Sequence, residues 1–312
     1  MDYLLLSDNA ARQVIDSTTV FDEFMRVKAQ AQPYAGGMYW KREGAYEYLV
    51  KTYPDNRQSR QGRRSPETEK IYEDFTTRKQ AVESRLQSLR PALIEAERMN
   101  KALKAGRTPA IVVALLQALE AAGMGPHFTV VGTHALYAYE TAAGVRIVQG
   151  ALATQDVDLL WDARKRVQFF TDLGRTETSM LGVLQRADPS FQRMADQKET
   201  AINAKGFEVD FLRRQPEGDD PHPFRFSDDE DDLWPVRTER ACVLTSAPRF
   251  EHLVISATGR MALMRTIAPQ TFVEFKLWMA EKAKNRIAAK RRRDLRQAEI
   301  VQKLLDDGLL VG

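Results

Sequence analysis

The reading of this chain turns on Phe128-Thr129-Val130-Val131-Gly132-Thr133-His134-Ala135-Leu136 and, some twenty residues on, Thr154-Gln155-Asp156-Val157-Asp158-Leu159-Leu160-Trp161. Phe128 to Val131 is a short β-branched run, Gly132-Thr133 has turn chemistry, and His134 to Thr141 has helical periodicity, so the order is strand, tight turn, helix. Asp156 and Asp158 stand two apart in a second apolar run. Strand side chains alternate, so both carboxylates project from one face while Val157 and Leu159 point the other way. Two adjacent carboxylates repel unless a cation joins them.

A third acid extends the pattern. Phe207-Glu208-Val209-Asp210-Phe211-Leu212 reads as another strand, and Asp210, flanked by apolar residues, is costly to bury unpaired. If that strand lies beside the first pair, Asp156, Asp158 and Asp210 converge as hard oxygen ligands suited to Mg²⁺.

These residues resemble the DNA polymerase β-like nucleotidyltransferase superfamily: a Gly-Gly or Gly-Ser opening a helix, an acid-x-acid pair on a strand, and a later third acid. Here they fall on Gly132-Thr133, Asp156-x-Asp158 and Asp210. The nearest likeness is to uncharacterised bacterial nucleotidyltransferase-fold proteins and, more distantly, to type IV abortive-infection toxin nucleotidyltransferases. Thr133 departs from the usual Ser or Gly, keeping the hydroxyl but adding a methyl group. In the resembling toxins a lysine on a helix after the sheet approaches the nucleotide phosphates, which implies Lys276; a surface lysine is the alternative.

The resemblance implies an NTP substrate and Mg²⁺, two ions, with Mn²⁺ as a substitute. Nucleotidyl transfer develops negative charge on both the attacking and the leaving oxygen, and a pair of cations roughly 4 Å apart stabilises both, which is why three carboxylates are wanted. Asp156 and Asp158 are expected to hold both metals. Asp210 is expected to hold one and, by resemblance, to help remove the acceptor's proton. Gly132 and Thr133 are read as the nucleotide-binding turn. His134, beside Thr133, is read as packing, with a phosphate contact as the alternative. Glu208 shares the face of Asp210, and Arg146 and Arg213 are candidates for phosphate contact or for ion pairs. His127, His222 and His252 show no ligand spacing.

Composition narrows the classes. The chain has 312 residues, enough for two domains or for one large domain with an extension, and its 43% hydrophobic content allows a sizeable core. A net charge of +3 marks no generic polyanion binder, so a nucleic-acid claim must rest on local clusters. The single cysteine, Cys242, excludes an intramolecular disulfide and a cysteine-based zinc site. The acidic N-terminus has too short an apolar run for a signal peptide, and no stretch approaches the roughly 20 apolar residues of a membrane span. A cytoplasmic location is expected.

The expected architecture is α/β (α+β). A mainly helical N-terminal region with a β-hairpin occupies 1–106, a small mixed-sheet nucleotidyltransferase core flanked by helices 107–235, and C-terminal strands and helices 236–312. Residues 8–30 read as helical. Two aromatic runs around Arg42-Glu43-Gly44 read as a hairpin whose rings are expected to pack in a core, with a base-stacking platform as the alternative. Pro54 to Pro66, polar and basic, reads as a solvated loop, with a phosphate-contacting arm as the alternative. Ser65-Pro66-Glu67-Thr68 signals a helix start, with the helix reaching about Lys104 and interrupted near Pro91. Pro216 to Asp232 reads as a solvated acidic loop, Cys242 to Thr245 and Leu253 to Ser256 as strands, and the stretches after Pro269 and from Ile287 as helices. The N-terminal helices are a candidate surface for self-association.

The activity expected is transfer of a nucleoside monophosphate from an NTP, such as ATP, to a hydroxyl of an RNA (tRNA included), a protein or a small molecule. A non-catalytic nucleotide- or nucleic-acid-binding module on the same fold is the alternative. A glycosyltransferase also uses an Asp-x-Asp pair, but the late third acid and the Gly-Thr turn argue against it. A metal-dependent nuclease differs in releasing no pyrophosphate.

Overall fold

In a computed structural model, which describes every residue except 1, 153, 177, 217, 219–223, 284–285 and 312, the run Phe128–Val131 is a fully buried strand, and Gly132 leaves it with φ of +72°. From the N-terminus the chain forms β1 (Tyr3–Leu5), α1 (Asp8–Ala31), β2 (Gly37–Glu43), β3 (Tyr46–Thr52), β4 (Gln58–Arg63) and α2 (Pro66–Ala102). Next come α3 (Ala110–Ala121), β5 (Phe128–Val131), α4 (Leu136–Ala142), β6 (Val145–Ile147), α5 (Gln149–Leu152), β7 (Asp156–Trp161), α6 (Arg166–Gly174) and α7 (Met180–Gln185). The remainder is β8 (Gln192–Arg193), β9 (Thr200–Ile202), β10 (Glu208–Arg213), β11 (Val236–Arg237), α8 (Ala241–Ser246), β12 (Arg249–Ile255), β13 (Met261–Ile267), α9 (Pro269–Glu281) and α10 (Ala288–Asp306).

Two compact units result, residues 1–14 with 99–312, and residues 15–98. In the larger, the central sheet runs β5-β7-β10-β9-β8, with β11 added to the far end of β10. β7 and β10 are parallel; β5 with β7 and β9 with β10 are antiparallel, so the sheet is mixed. The expected α+β class therefore holds. Alternation sends Val157, Leu159, Val209 and Phe211 beneath the sheet, where each is at most 2% exposed. A fully buried side chain of this size is worth about 1.5–3 kcal/mol, so the two strands are anchored from below. Phe211 there meets Phe128 and Phe226 in edge-to-face contacts. The β12–β13 hairpin covers β5 and α4: Thr266 Oγ1 donates to Val130 O and Tyr139 OH to Ile267 O, both at 2.7 Å.

In the smaller unit, β2, β3 and β4 form an antiparallel meander, so the hairpin has a third strand where the sequence suggested a loop. β4 escaped notice because an edge strand with one face in water needs no apolar residues. Its inward positions are the small Ser59 and Gly62. The helix after Ser65 starts as expected, Ser65 N donating to Thr68 Oγ1 at 2.8 Å. It runs unbroken through Pro91; the proline removes one hydrogen bond from a ladder of 37 residues, too little to end it.

Two further expectations change. Cys242 to Thr245 lies in helix α8, since a four-residue apolar run carries no period to separate helix from strand. The acidic run is not wholly solvated. Asp228 to Asp231 are exposed, but Asp232 is buried and accepts from the backbone N–H of Met180 (3.1 Å) and Leu181 (2.9 Å), closing the first turn of α7. Asp219, Asp220 and His222 lie outside the described residues. No helix of the described residues is long and apolar enough to cross a membrane.

Candidate functional site

Register builds the site. In the parallel β7–β10 pair, Asp158 sits beside Asp210 and Asp156 beside Glu208, so four carboxylates share the upper face. One oxygen from each of Asp156, Asp158 and Asp210 lies within 4.8 Å of the others, and all three residues are half-buried, reachable from solvent. On the other side of β7, Val131 pairs with Asp158, which places Gly132 directly against that carboxylate. A Cβ at 132 overlaps Asp158 Oδ2, and the backbone there is left-handed, so glycine is required twice over.

Hydrogen bonds orient two of the acids and leave the third bare. Thr154 Oγ1 donates to Asp156 Oδ1, and Thr200 Oγ1, opposite Asp210 across β9, donates to Asp210 Oδ1 at 2.6 Å. Among the described residues Asp158 has no donor. Burial lifts its carboxyl to about 7, reinforced by the charges of Asp156 and Asp210 and opposed by Lys276 and Arg286. Asp210 is raised too, chiefly by burial. These hard oxygens fit a divalent cation, whose charge would offset the repulsion from Asp156 and Asp210 that adds to the effect of burial on Asp158.

Positive charge lies behind the acids. Lys276 on α9 is 3% exposed and its Nζ lies 3.0 Å from Asp294 Oδ1. Arg286 grips the other oxygen of Asp294 through Nε at 2.7 Å and Nη2 at 2.6 Å. Burial lowers the lysine's pKa against the pull of Asp294 and Asp158. One turn along α10, Gln297 Nε2 donates to Thr133 Oγ1 at 3.1 Å and to Ala151 O at 2.6 Å. Because the amide donates, the Thr133 hydroxyl keeps its own hydrogen free to give.

The other candidates have different work. His134 is buried against Tyr137 and Phe207, with no regular hydrogen bond to either ring nitrogen among the described residues, and burial drops its pKa to about 4 despite the nearby Asp156. It is a neutral packing residue. Arg146 joins Arg107 on the buried Glu140, and Arg213 is buried with its guanidinium over Phe224. His127 pairs with Asp172 at 2.9 Å, and His252 Nδ1 lies 3.0 Å from Leu253 O. Sequence reasoning missed Thr154, Thr200, Arg286, Asp294 and Gln297. Of these only Thr154, two before Asp156, had a local signal.

Gly132→Ala is expected to cost about 1–3 kcal/mol through the left-handed backbone alone and to weaken Mn²⁺ binding by displacing Asp158. Calorimetric titration with Mn²⁺ beside a melting curve checks both, and an unchanged affinity would contradict the contact.

A family model described as a nucleotidyltransferase matches residues 110–309, from α3 to just beyond α10. No curated protein and no solved structure matches the chain.

Proposed function

The chain belongs to this nucleotidyltransferase family, a class of enzymes that transfer phosphorus-containing groups, and from that premise we propose that it moves a nucleoside monophosphate from an NTP to a hydroxyl of an RNA, a protein or a small molecule, with Mg²⁺ as its metal. The observation that carries the reading is the convergence of Asp156, Asp158 and Asp210 beside Gly132. Asp156, Asp158 and Asp210 would hold the divalent cation, which when bound would supply charge neutralisation at the phosphoryl oxygens and a more acidic acceptor hydroxyl.

The chain's own groups take the remaining roles in this reading. The acceptor oxygen attacks the α-phosphorus, the bond to the β-phosphate oxygen breaks, and pyrophosphate leaves. Asp210, raised above the ordinary carboxylate range by burial, takes the acceptor's proton and passes it to solvent. Gly132 lets the triphosphate approach the backbone, and the Thr133 hydroxyl, its oxygen occupied by Gln297, donates to a phosphate oxygen. Lys276 supplies positive charge that acts on Asp158.

The test is incubation of the purified protein with each α-labelled NTP, Mg²⁺ and a total cell extract. Label is expected in one acceptor fraction, with equimolar pyrophosphate, and both are expected to vanish with EDTA. Nucleotide binding without pyrophosphate would point to a non-catalytic module, and acceptor cleavage without label to a nuclease.

A further inference from the structure

We propose that the open face of the β2–β3–β4 sheet is a docking surface for a single-stranded polynucleotide. Strand alternation separates two faces. Trp40 and the fully buried Leu49 point to one side, where Trp40 meets Tyr72 of α2 with ring centroids 5.9 Å apart. Tyr39, Lys41, Tyr46 and Tyr48 point to the other, and Tyr39 and Tyr46 are 38% and 44% exposed.

The third strand adds cations to that face by an irregularity. Arg60 and Arg63 are three apart, so a regular strand would send them to opposite sides. Here Leu49 pairs with Gly62 and Val50 with Arg60, leaving Gln61 as an extra residue. This bulge turns both arginines to the open face. Arg63 lies 3.4 Å above the centre of the Tyr46 ring and Arg60 4.1 Å above Tyr48. A guanidinium over a ring face can still offer N–H groups to a phosphate, and its outer plane can stack on a base. Arg60 and Lys41 share Glu43, but Arg63 has no carboxylate partner among the described residues.

Charge selects the occupant. Residues 37–64 hold seven Lys or Arg and three Asp or Glu, a net of +4, against +3 for the whole chain. The basic excess is thus concentrated in the segment that builds this sheet, which lies outside the family match. Exposed ring–cation pairs alone would stabilise the sheet only slightly, and that role needs no surplus charge. A duplex offers phosphates but hides its base faces; a single strand offers both. The surface does not rest on the nucleotidyl transfer reading.

The experiment is fluorescence anisotropy with the full chain in EDTA and without NTP. The probes are fluorescein-labelled 20-nucleotide oligouridylate, oligothymidylate of the same length, and a 20-base-pair duplex. Wild type is expected to bind one or both single strands more tightly than the duplex. Arg60→Gln with Arg63→Gln is expected to weaken binding about tenfold or more and to lower the slope of log affinity on log salt by about 1.4, from about 0.7 per phosphate contact. Arg60→Lys with Arg63→Lys should restore that slope, which separates lost charge from lost fold. Tyr46→Leu should weaken binding about fivefold or more with the slope unchanged. Asp158→Asn should bind as wild type, so failure of this surface and failure of the transfer reading stay distinct. Absence of single-strand binding, unchanged binding after loss of both arginines, or equal binding of the duplex with no effect of Tyr46→Leu would each overturn the proposal.

Discussion

Asp158→Asn is expected to abolish metal-dependent nucleotide transfer and yet, in EDTA at pH 8, to raise Tm above that of the wild type. The two effects share one cause. In the metal-free fold the Asp158 carboxyl is lifted to about 7 from an ordinary 3.8. A carboxyl whose folded pKa is raised contributes stability that is complete below about 3.8 and is lost as pH climbs through about 7. At pH 8 the ionised group therefore opposes folding, by something on the order of 2 kcal/mol once its remaining solvent contact is allowed for. A neutral amide of the same shape removes that opposition. Tm in EDTA should rise by about 5 °C at pH 8 and shift little at pH 4. With Mg²⁺ the order reverses, because only wild type gains stability from the ion. Several kcal/mol of transition-state stabilisation depend on the metal, so turnover should fall by about a thousandfold. Wild-type turnover in the Asp158→Asn protein, or the lack of its advantage in EDTA, would refute the placement of this residue.

The second large effect is expected from Asp294→Ala. One fully buried carboxylate serves both Lys276 and Arg286. Its removal leaves two cations facing each other without a partner, a fault that costs about 3–5 kcal/mol, or about 10 °C in Tm. Lys276→Met should cost less, since Asp294 keeps Arg286 and a flexible apolar chain fills a comparable space. The contrast is diagnostic: melting curves in which the lysine variant falls further than the aspartate variant would mean that packing, not charge, sets the energetics of α9 against α10.

The sheet was legible wherever local pattern and burial agree. Phe128–Val131, Asp156–Trp161 and Glu208–Arg213 all carry β-branched or alternating runs, and the acids that meet in space lie on those runs. What the sequence withheld is register and distance. Thr200 orients Asp210 only because β9 pairs with β10 at that step, and no local pattern links Asp294 to Lys276, 18 positions away on another helix. Strand β4 and helix α8 failed for opposite reasons. The first is polar throughout and lives on its pairing with β3; the second is apolar but too short to show a period. Pro91 shows that a helix breaker is outvoted when the rest of a long helix is committed.

The position of Lys276, Arg286 and Gln297 along the chain has a consequence for biosynthesis. Residues through Asp210 complete the strands that gather like charges, yet the first counter-cation is made 66 positions later. At about 5–20 residues per second, synthesis of those 66 positions takes about 3–13 s, during which any early meeting of the carboxylates would lack these cations. Protons or a divalent ion would then be the means of relieving the repulsion until α9 and α10 bring Lys276 and Arg286 to Asp158.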